Sequence, residues 1–410
     1  MQPKTLFYIL IAILIVNFIV DKILDALNNN HFNDTIPNKL KDVYNAKEYK
    51  KAQAYKKLNH TFTSIRSSFS FFITLLFFFL EGFKYLDNFA RSFTNNSIIV
   101  ALLFFGIIML VSEIISTPFS YYQTFVIEEK FGFNKSTKTI FWTDTLKGLL
   151  LGTIIGSMLL ATIIWFYALV GVNFWMYAWL LVSLFTIFTS LFYAKLIVPL
   201  FNKQTPLEDG ELKAAIEKYA KKIGFTLKNI FVINGSKRST KANAYFSGFG
   251  NQKRITLYDT LINDLETEEI VAVLAHEVGH YKKQHVFFNL IISILITGIT
   301  FYVLSLCINS PILSETLGVA NQSFHIGLIT FGFLYSPISE ITSLCMNLIS
   351  RKFEYQADNF AKETYAAKPL IMSLKKLSKN NLSNLTPHPA YVFMHYSHPT
   401  LLQRIKNLES

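Results

Sequence analysis

Cysteine is nearly missing from this chain: there are two in 410 residues. Cys307 and Cys345 fall near opposite ends of different apolar stretches, at depths too far apart for a disulfide. They read as packing residues and not as metal ligands. Charge is scarce as well. Asp, Glu, Lys and Arg make up 16% of the chain, against 51% hydrophobic residues and a mean hydropathy of +0.33. So apolar a composition excludes an ordinary soluble protein and points to one that lives in a membrane. Nothing suggests a nucleic-acid partner. The net charge of +12 says less than where the charges sit.

Seven apolar stretches approach or exceed bilayer-spanning length: Thr5–Val20, Ser67–Leu86, Ser97–Pro118, Gly148–Val170, Phe174–Val198, Val286–Ile308 and Phe324–Ile349. The first lacks a small-residue cleavage site and runs into Asp21-Lys22, so it reads as an uncleaved anchor. Basic residues are almost absent from alternate connections. Only Lys4, Lys84 and Arg91 lie on one side, and the loops 171–173 and 309–323 have none. The other side carries nine after the first stretch, four after the third, thirteen after the fifth and nine in the tail. The positive-inside rule then puts the N-terminus outside and the C-terminus in the cytoplasm.

The chemistry sits in Leu265–His285, which contains His276-Glu277-Val278-Gly279-His280. Residues four apart share a helix face, so His276 and His280 can point at one metal, with Glu277 beside them to act on water. Thr267 is the expected N-cap, with Glu268 and Glu269 in the first turn and Lys282 and Lys283 in the last. Two histidines leave a catalytic zinc site short of a ligand. Downstream, Glu354 and Asp358 are one turn apart; one could bind zinc while the other holds a ligand histidine. Near zinc, His398 could stabilise an oxyanion. His31, His60, His285, His325 and His388 have no supporting spacing.

Elsewhere the first inside loop, about 23–66, reads as Lys-rich surface helices facing anionic lipid. Residues 121–135 read as a packed connector. Glu211–Ile223 has helical period, Ile230–Ile233 reads as a strand, and Ala244–Phe249 and Arg254–Tyr258 read as a hairpin around Gly250-Asn251-Gln252. A free edge of that sheet could pair with an extended peptide across the metal. The loop Ser236–Lys241 reads as solvated. Glu113 and Glu340 lie at membrane depth, and either face a wet interior or are satisfied structural carboxylates.

These motifs resemble the type I CAAX prenyl endopeptidases, integral-membrane zinc metalloproteases that include the a-factor-converting and prelamin-processing enzymes. The resemblance runs through YYQTFVIEEKFGFNKST at 121–137, PLFNKQTPLEDGEL at 199–212 and SKRSTKANAYFSGF at 236–249. It continues in LAHEVGHYK at 274–282, FEYQADNFA at 353–361 and HYSHPTLLQR at 395–404. It departs at Gln204, where the family has Phe, and in the short link between hairpin and metal helix. It implies a mainly α polytopic fold, with seven transmembrane helices around an intramembrane chamber and a small α+β zinc domain as cap. It implies one zinc per chain on His276, His280 and Glu354, with Glu277 as base. Asn243 and His398 would lie near the scissile carbonyl, with Asp358 and Arg404 in support.

The expected organisation is membrane helices in 1–198, a first part of the zinc domain in 199–285, two membrane helices in 286–349, and the rest of the zinc domain in 350–410. The expected activity is removal of the C-terminal tripeptide from prenylated CAAX-type peptides by a monomer in the lipid bilayer. The alternatives are a broader quality-control metalloprotease, or a receptor or channel with an inert zinc site. Composition and the lack of a dilysine retrieval signal point to a prokaryotic cell membrane, with the endoplasmic reticulum as the alternative.

Overall fold

The computed structural model describes residues 1–410 apart from 226–229 and 248–253. In hydrocarbon an apolar run can satisfy its own backbone only as a helix, and the long runs fold accordingly. They form α1 (Pro3–Asn30), α2 (Ala46–Phe79) and, after the short α3 (Gly82–Phe93), α4 (Ser97–Tyr122). Next come α5 (Lys138–Val170) and α6 (Phe174–Leu196). The soluble segment holds α7 (Glu211–Lys222) and α8 (Thr267–Lys282), followed by α9 (His285–Cys307) and α10 (Phe324–Thr364). The chain closes with α11 (Ala367–Asn380) and α12 (Leu401–Glu409).

Among the described residues, six helical stretches are long and apolar enough to cross a membrane. The longest, Lys138–Phe201, contains both α5 and α6 on either side of the turn Gly171–Asn173, so seven helices answer to the seven apolar runs. Their boundaries differ from expectation. The second run does not reach Leu86: α2 stops at Phe79, and Glu81 takes a left-handed turn (φ 53°) into α3. The basic loop is also shorter than expected, because α1 extends to Asn30 and α2 starts at Ala46. Its apolar residues do not merely face lipid. Leu40, Val43, Tyr44 and Tyr55 pack with Ile127, Phe131, Phe133, Leu385 and Ile405, joining loop, connector and C-terminal helices.

Helix contacts run from α10 to α4, α5, α6 and α9 and back to α10, a closed ring. Its end far from the metal helix is plugged by Ala101, Ile164, Phe174, Leu304 and Phe324. Further along the ring, Gly148, Gly152, Gly156 and Gly332 have no neighbouring atom within 4 Å of where a Cβ would stand. The helices are thus closely packed at that end, while these glycines stand open.

The soluble segment forms a four-stranded sheet in the order β1 (Gln204–Pro206), β2 (Ile230–Ile233), β4 (Arg254–Tyr258), β3 (Ala244–Ser247). β2 and β4 are parallel, while β3 pairs antiparallel with β4 and lies at the edge. The tip of the expected hairpin, with Gly250, Asn251 and Gln252, lies outside the described residues. One core takes Ile216 and Tyr219 from α7, Ile255 and Leu257 from β4, and Ile270, Leu274 and Val278 from α8. It is completed by Ala361, Leu370 and Leu408 from the far end of the chain.

The loop Ser236–Lys241 is docked, not solvated. Arg238 clamps Asp144 at the start of α5 through two hydrogen bonds of 2.7 and 2.9 Å and donates to the Phe201 carbonyl at 2.7 Å. Lys241 pairs with Glu128 of the connector at 2.9 Å. The backbone joins in, with Lys135 N–H donating to the Arg238 carbonyl at 3.0 Å and Thr240 N–H to that of Phe133 at 3.1 Å. The connector and this loop form one seam under the entry to β3. Replacing Arg238 with Met removes charge-assisted bonds from a half-buried site and is expected to cost about 1.5–3 kcal/mol. A lowered thermal midpoint of the detergent-solubilised chain is the readout, and an unchanged midpoint rejects the seam as a stabilising contact.

Candidate metal centre

α8 presents the two histidines, and its start differs by one residue from expectation. Glu266, not Thr267, is the N-cap, because the Glu269 carboxylate reaches back to accept the Glu266 N–H at 2.9 Å. Lys376 on α11 holds that buried carboxylate at 2.8 Å. Gly279 determines what can cross α8. A Cβ there would lie 3.0 Å from the Ala357 Cα, 3.1 Å from its carbonyl oxygen and 3.2 Å from the Phe360 Cβ. Only glycine lets the α10 backbone come this close, and Glu354 lies one turn before Ala357.

The outcome is a convergent donor set. His276 Nε2 and His280 Nε2 are 3.2 Å apart, and the Glu354 oxygens lie 3.4 Å from the first and 3.2 Å from the second. One ligand atom from each residue falls within 4.8 Å of the others. Among the described residues, Glu354 Oε2 is buried without a hydrogen-bond partner. A buried anionic acceptor left unpaired beside two imidazole nitrogens fits a dication, and two histidines with one carboxylate are a catalytic zinc set with a position left for water.

Behind the ligands sits a second layer. Asp358 Oδ1 takes a hydrogen bond from His276 Nδ1 at 2.9 Å, and Arg404 grips both Asp358 oxygens at 2.6 and 2.9 Å. The nearest Arg404 nitrogen is 3.7 Å from Glu354 Oε2. His398 Nε2 is 3.3 Å from Glu354 Oε1 on a mostly exposed side chain, and its Nδ1 meets Ser397 Oγ at 3.0 Å. Asn243 and Glu277 line the same cavity, about 390 Å³, together with His398 and Arg404. Its apolar wall is Leu261, Val273, Leu370, Leu374 and Leu377.

Every site residue expected from the sequence therefore reaches this cavity or its backing. Three contributions were not foreseen: the leucine wall, Asn289 and His285. His285 is buried, 3.0 Å from His280 through their Nδ1 atoms and 2.8 Å from Gln356 Oε1 through Nε2. No helical spacing links it to the motif, because Gln284 (φ 58°) breaks the chain between α8 and α9. That left-handed turn swings His285 back under His280.

Comparison with known proteins agrees with the site. A family model described as "CAAX prenyl protease N-terminal, five membrane helices" matches residues 26–203, and "Peptidase family M48" matches 206–410. The chain belongs to the CAAX prenyl protease 1 family of M48 peptidases. It is 38% identical over 383 residues to the CAAX prenyl protease 1 homolog of Dictyostelium discoideum, covering 91% of this chain and 89% of that one. With CAAX prenyl protease 1 of Saccharomyces cerevisiae the identity is 35% over 400 residues, covering 91% and 88%. The human homolog shares 33% over 421 residues, covering 92% and 89%. The crystal structure of S. mikatae Ste24p superposes with a TM-score of 0.94 at 33% identity, over 99% of both chains. Like its family, the chain is a mainly helical, multi-pass integral membrane protein and a zinc metalloendopeptidase, its zinc site formed by His276, His280 and Glu354.

Two tests follow from the geometry. Burial and the Arg404 charge pull the His276 pKa down, but hydrogen bonds to Asp358 and Glu354 outweigh them and raise it to about 9. Zinc must displace that proton, so uptake by the metal-stripped protein should strengthen with pH, about tenfold per unit, up to about 9. Chelator competition across pH reads this, and a flat profile below 9 contradicts it. Separately, Gly279→Val should push α10 off α8 and abolish stoichiometric zinc in the purified protein; full zinc content would show that the close crossing is dispensable.

Proposed function

We propose that this chain removes the C-terminal tripeptide from prenylated Cys-aliphatic-aliphatic-X sequences, working as a monomer. One observation carries the reading: family membership with curated relatives named CAAX prenyl protease 1 extends over about nine-tenths of the chain. The site's placement supports it. Only Lys283 and Gln284 separate the metal helix from membrane helix α9, and α10 runs without a break into the site. A substrate tail tethered to the bilayer by a lipid would meet the metal at that level. The leucine wall suits aliphatic side chains, and edge strand β3 offers main-chain hydrogen bonds to an extended peptide.

Held by His276, His280 and Glu354, zinc would supply Lewis acidity for a carbonyl and would lower the pKa of water towards about 7. Glu277 takes the proton of the attacking water and delivers it to the leaving amine. Asn243 accepts the Ala244 N–H at 2.8 Å through Oδ1, which leaves its Nδ2 group to donate to the substrate. His398, with Nδ1 accepting from Ser397, donates from Nε2 to the developing oxyanion. Asp358 orients His276, and Arg404 neutralises the carboxylates behind it.

The basic segments flanking the helices support a zinc side in the cytoplasm and an N-terminus outside. The eukaryotic sources of the relatives above support the endoplasmic reticulum over a prokaryotic cell membrane. The closed ring of helices, plugged at its far end, supports an intramembrane chamber under the zinc domain. Glu113 and Glu340 then face its water. The functional division is 1–198 and 286–349 as membrane part, with 199–285 and 350–410 as the zinc domain. The 349/350 boundary falls inside α10, so the two parts share one rigid helix.

Purified protein should cleave a prenylated CAAX peptide and fail on its unprenylated twin, while Glu277→Gln loses at least about 10²–10⁴-fold in rate with zinc still bound. Equal cleavage of both peptides would favour the quality-control reading. Undiminished turnover by the Gln variant would remove Glu277 from the mechanism.

A further inference from the structure

We propose that His285 and Gln356 form a neutral hydrogen-bond relay that orients ligand His280 and fixes which of its nitrogens carries the proton. The inference rests on the zinc site above and concerns how that site is held. His280 turns Nε2 towards Glu354 and His276, at 3.2 Å from each, so a lone pair must stand on Nε2 for it to bind a metal. Neutral imidazole holds one proton, which therefore sits on His280 Nδ1. The atom facing it at 3.0 Å is His285 Nδ1, which must accept. His285 then carries its own proton on Nε2 and donates it to Gln356 Oε1 at 2.8 Å. Each link dictates the next, and the amide oxygen ends the series without needing a charge.

The reverse order fails at the metal. If the Gln356 amide donated, His285 would donate from Nδ1, and His280 would be left with its proton on the metal-facing nitrogen. The relay is built to stay in place: His285 is 1% exposed and stacks on Phe353, ring centroids 4.1 Å apart and planes 9° from parallel. The two ligand histidines are thus supported unequally. His276 leans on the Asp358 carboxylate with Arg404 behind it, whereas His280 leans on an uncharged imidazole and an amide. His285 and Gln356 are positioning residues, and α10 carries the end of the relay, the third ligand and Asp358 within five consecutive residues.

The test measures metal and not turnover, so its failure is distinguishable from failure of the proposed peptidase reading. On full-length protein in detergent, zinc affinity is read by chelator competition and ligand geometry by the visible spectrum of the cobalt(II) form. His285→Phe keeps an aromatic ring against Phe353 but offers His280 no acceptor. It should weaken zinc binding by about 10–100-fold and shift the cobalt bands. Gln356→Leu should move both readouts in the same direction, and Gln356→Glu, which keeps an acceptor at the same place, should restore both. The Gln356 pair carries the test should the Phe variant not fold. Wild-type affinity and spectrum in Gln356→Leu, or Gln356→Glu as impaired as Leu, overturns the relay.

Discussion

The contact on which the site depends is the crossing of α8 and α10 at Gly279 and Ala357. α8 alone provides two ligands, and two imidazoles on one helix make an incomplete site. α10 provides the third from a position 74 residues further along the sequence, counting from His280 to Glu354. It is a single helix of 41 residues, about 60 Å long, so it can cross about 30 Å of hydrocarbon and still pass behind the metal. A loop at that point would leave Glu354 free to wander. A continuous helix fixes its height relative to the bilayer, and the missing side chain of Gly279 fixes how close it comes.

Burying so much charge under one cavity has to be compensated. Glu354 and Asp358 are both nearly inaccessible, and each carboxylate would resist burial alone. Arg404, arriving on the last helix of the chain, sits within reach of both and is itself held in its charged form chiefly by Asp358, against its burial. The C-terminal helix is therefore part of the electrostatics of the metal site and not an appendage. Lys376 does the equivalent service for Glu269 at the start of α8, so cations from the segment after α10 offset buried carboxylates both there and behind the ligands.

Much of this was legible before any coordinates. The membrane helices declared themselves by length and apolarity, and the zinc pair by a four-residue spacing that helical geometry makes meaningful. Even Glu354 was a candidate on spacing, although choosing it over Asp358 took the resemblance to a family. What stayed hidden depends on tertiary contact or on backbone turns. Helix ends were misjudged where polar residues continue an apolar helix, as at Ala46–Ser64 before the bilayer-spanning part of α2. The Ser236–Lys241 loop was misjudged because a run of polar and basic residues reads alike whether solvated or docked; the partners Asp144 and Glu128 are about 100 residues away. His285 was invisible for a third reason. Its partner is five residues back, off any helical period, and only the left-handed Gln284 brings the two rings together.

The seam between connector and loop explains why a membrane part and a metal part form one enzyme and not two tethered domains. The edge strand that lies along the cavity begins just after Lys241, whose ammonium is held by Glu128 and by Tyr55. Glu128 belongs to the wide helical turn Gln123–Glu128 that continues α4, and Tyr55 belongs to α2. Thus α2 and α4 set the position of Asn243 and Ala244 on one side of the cavity, while α9 and α10 set His285 and Glu354 on the other. The separation of the two sides of the cavity, and with it of β3 from the ligand set, is therefore governed by membrane helices as much as by the metal domain itself.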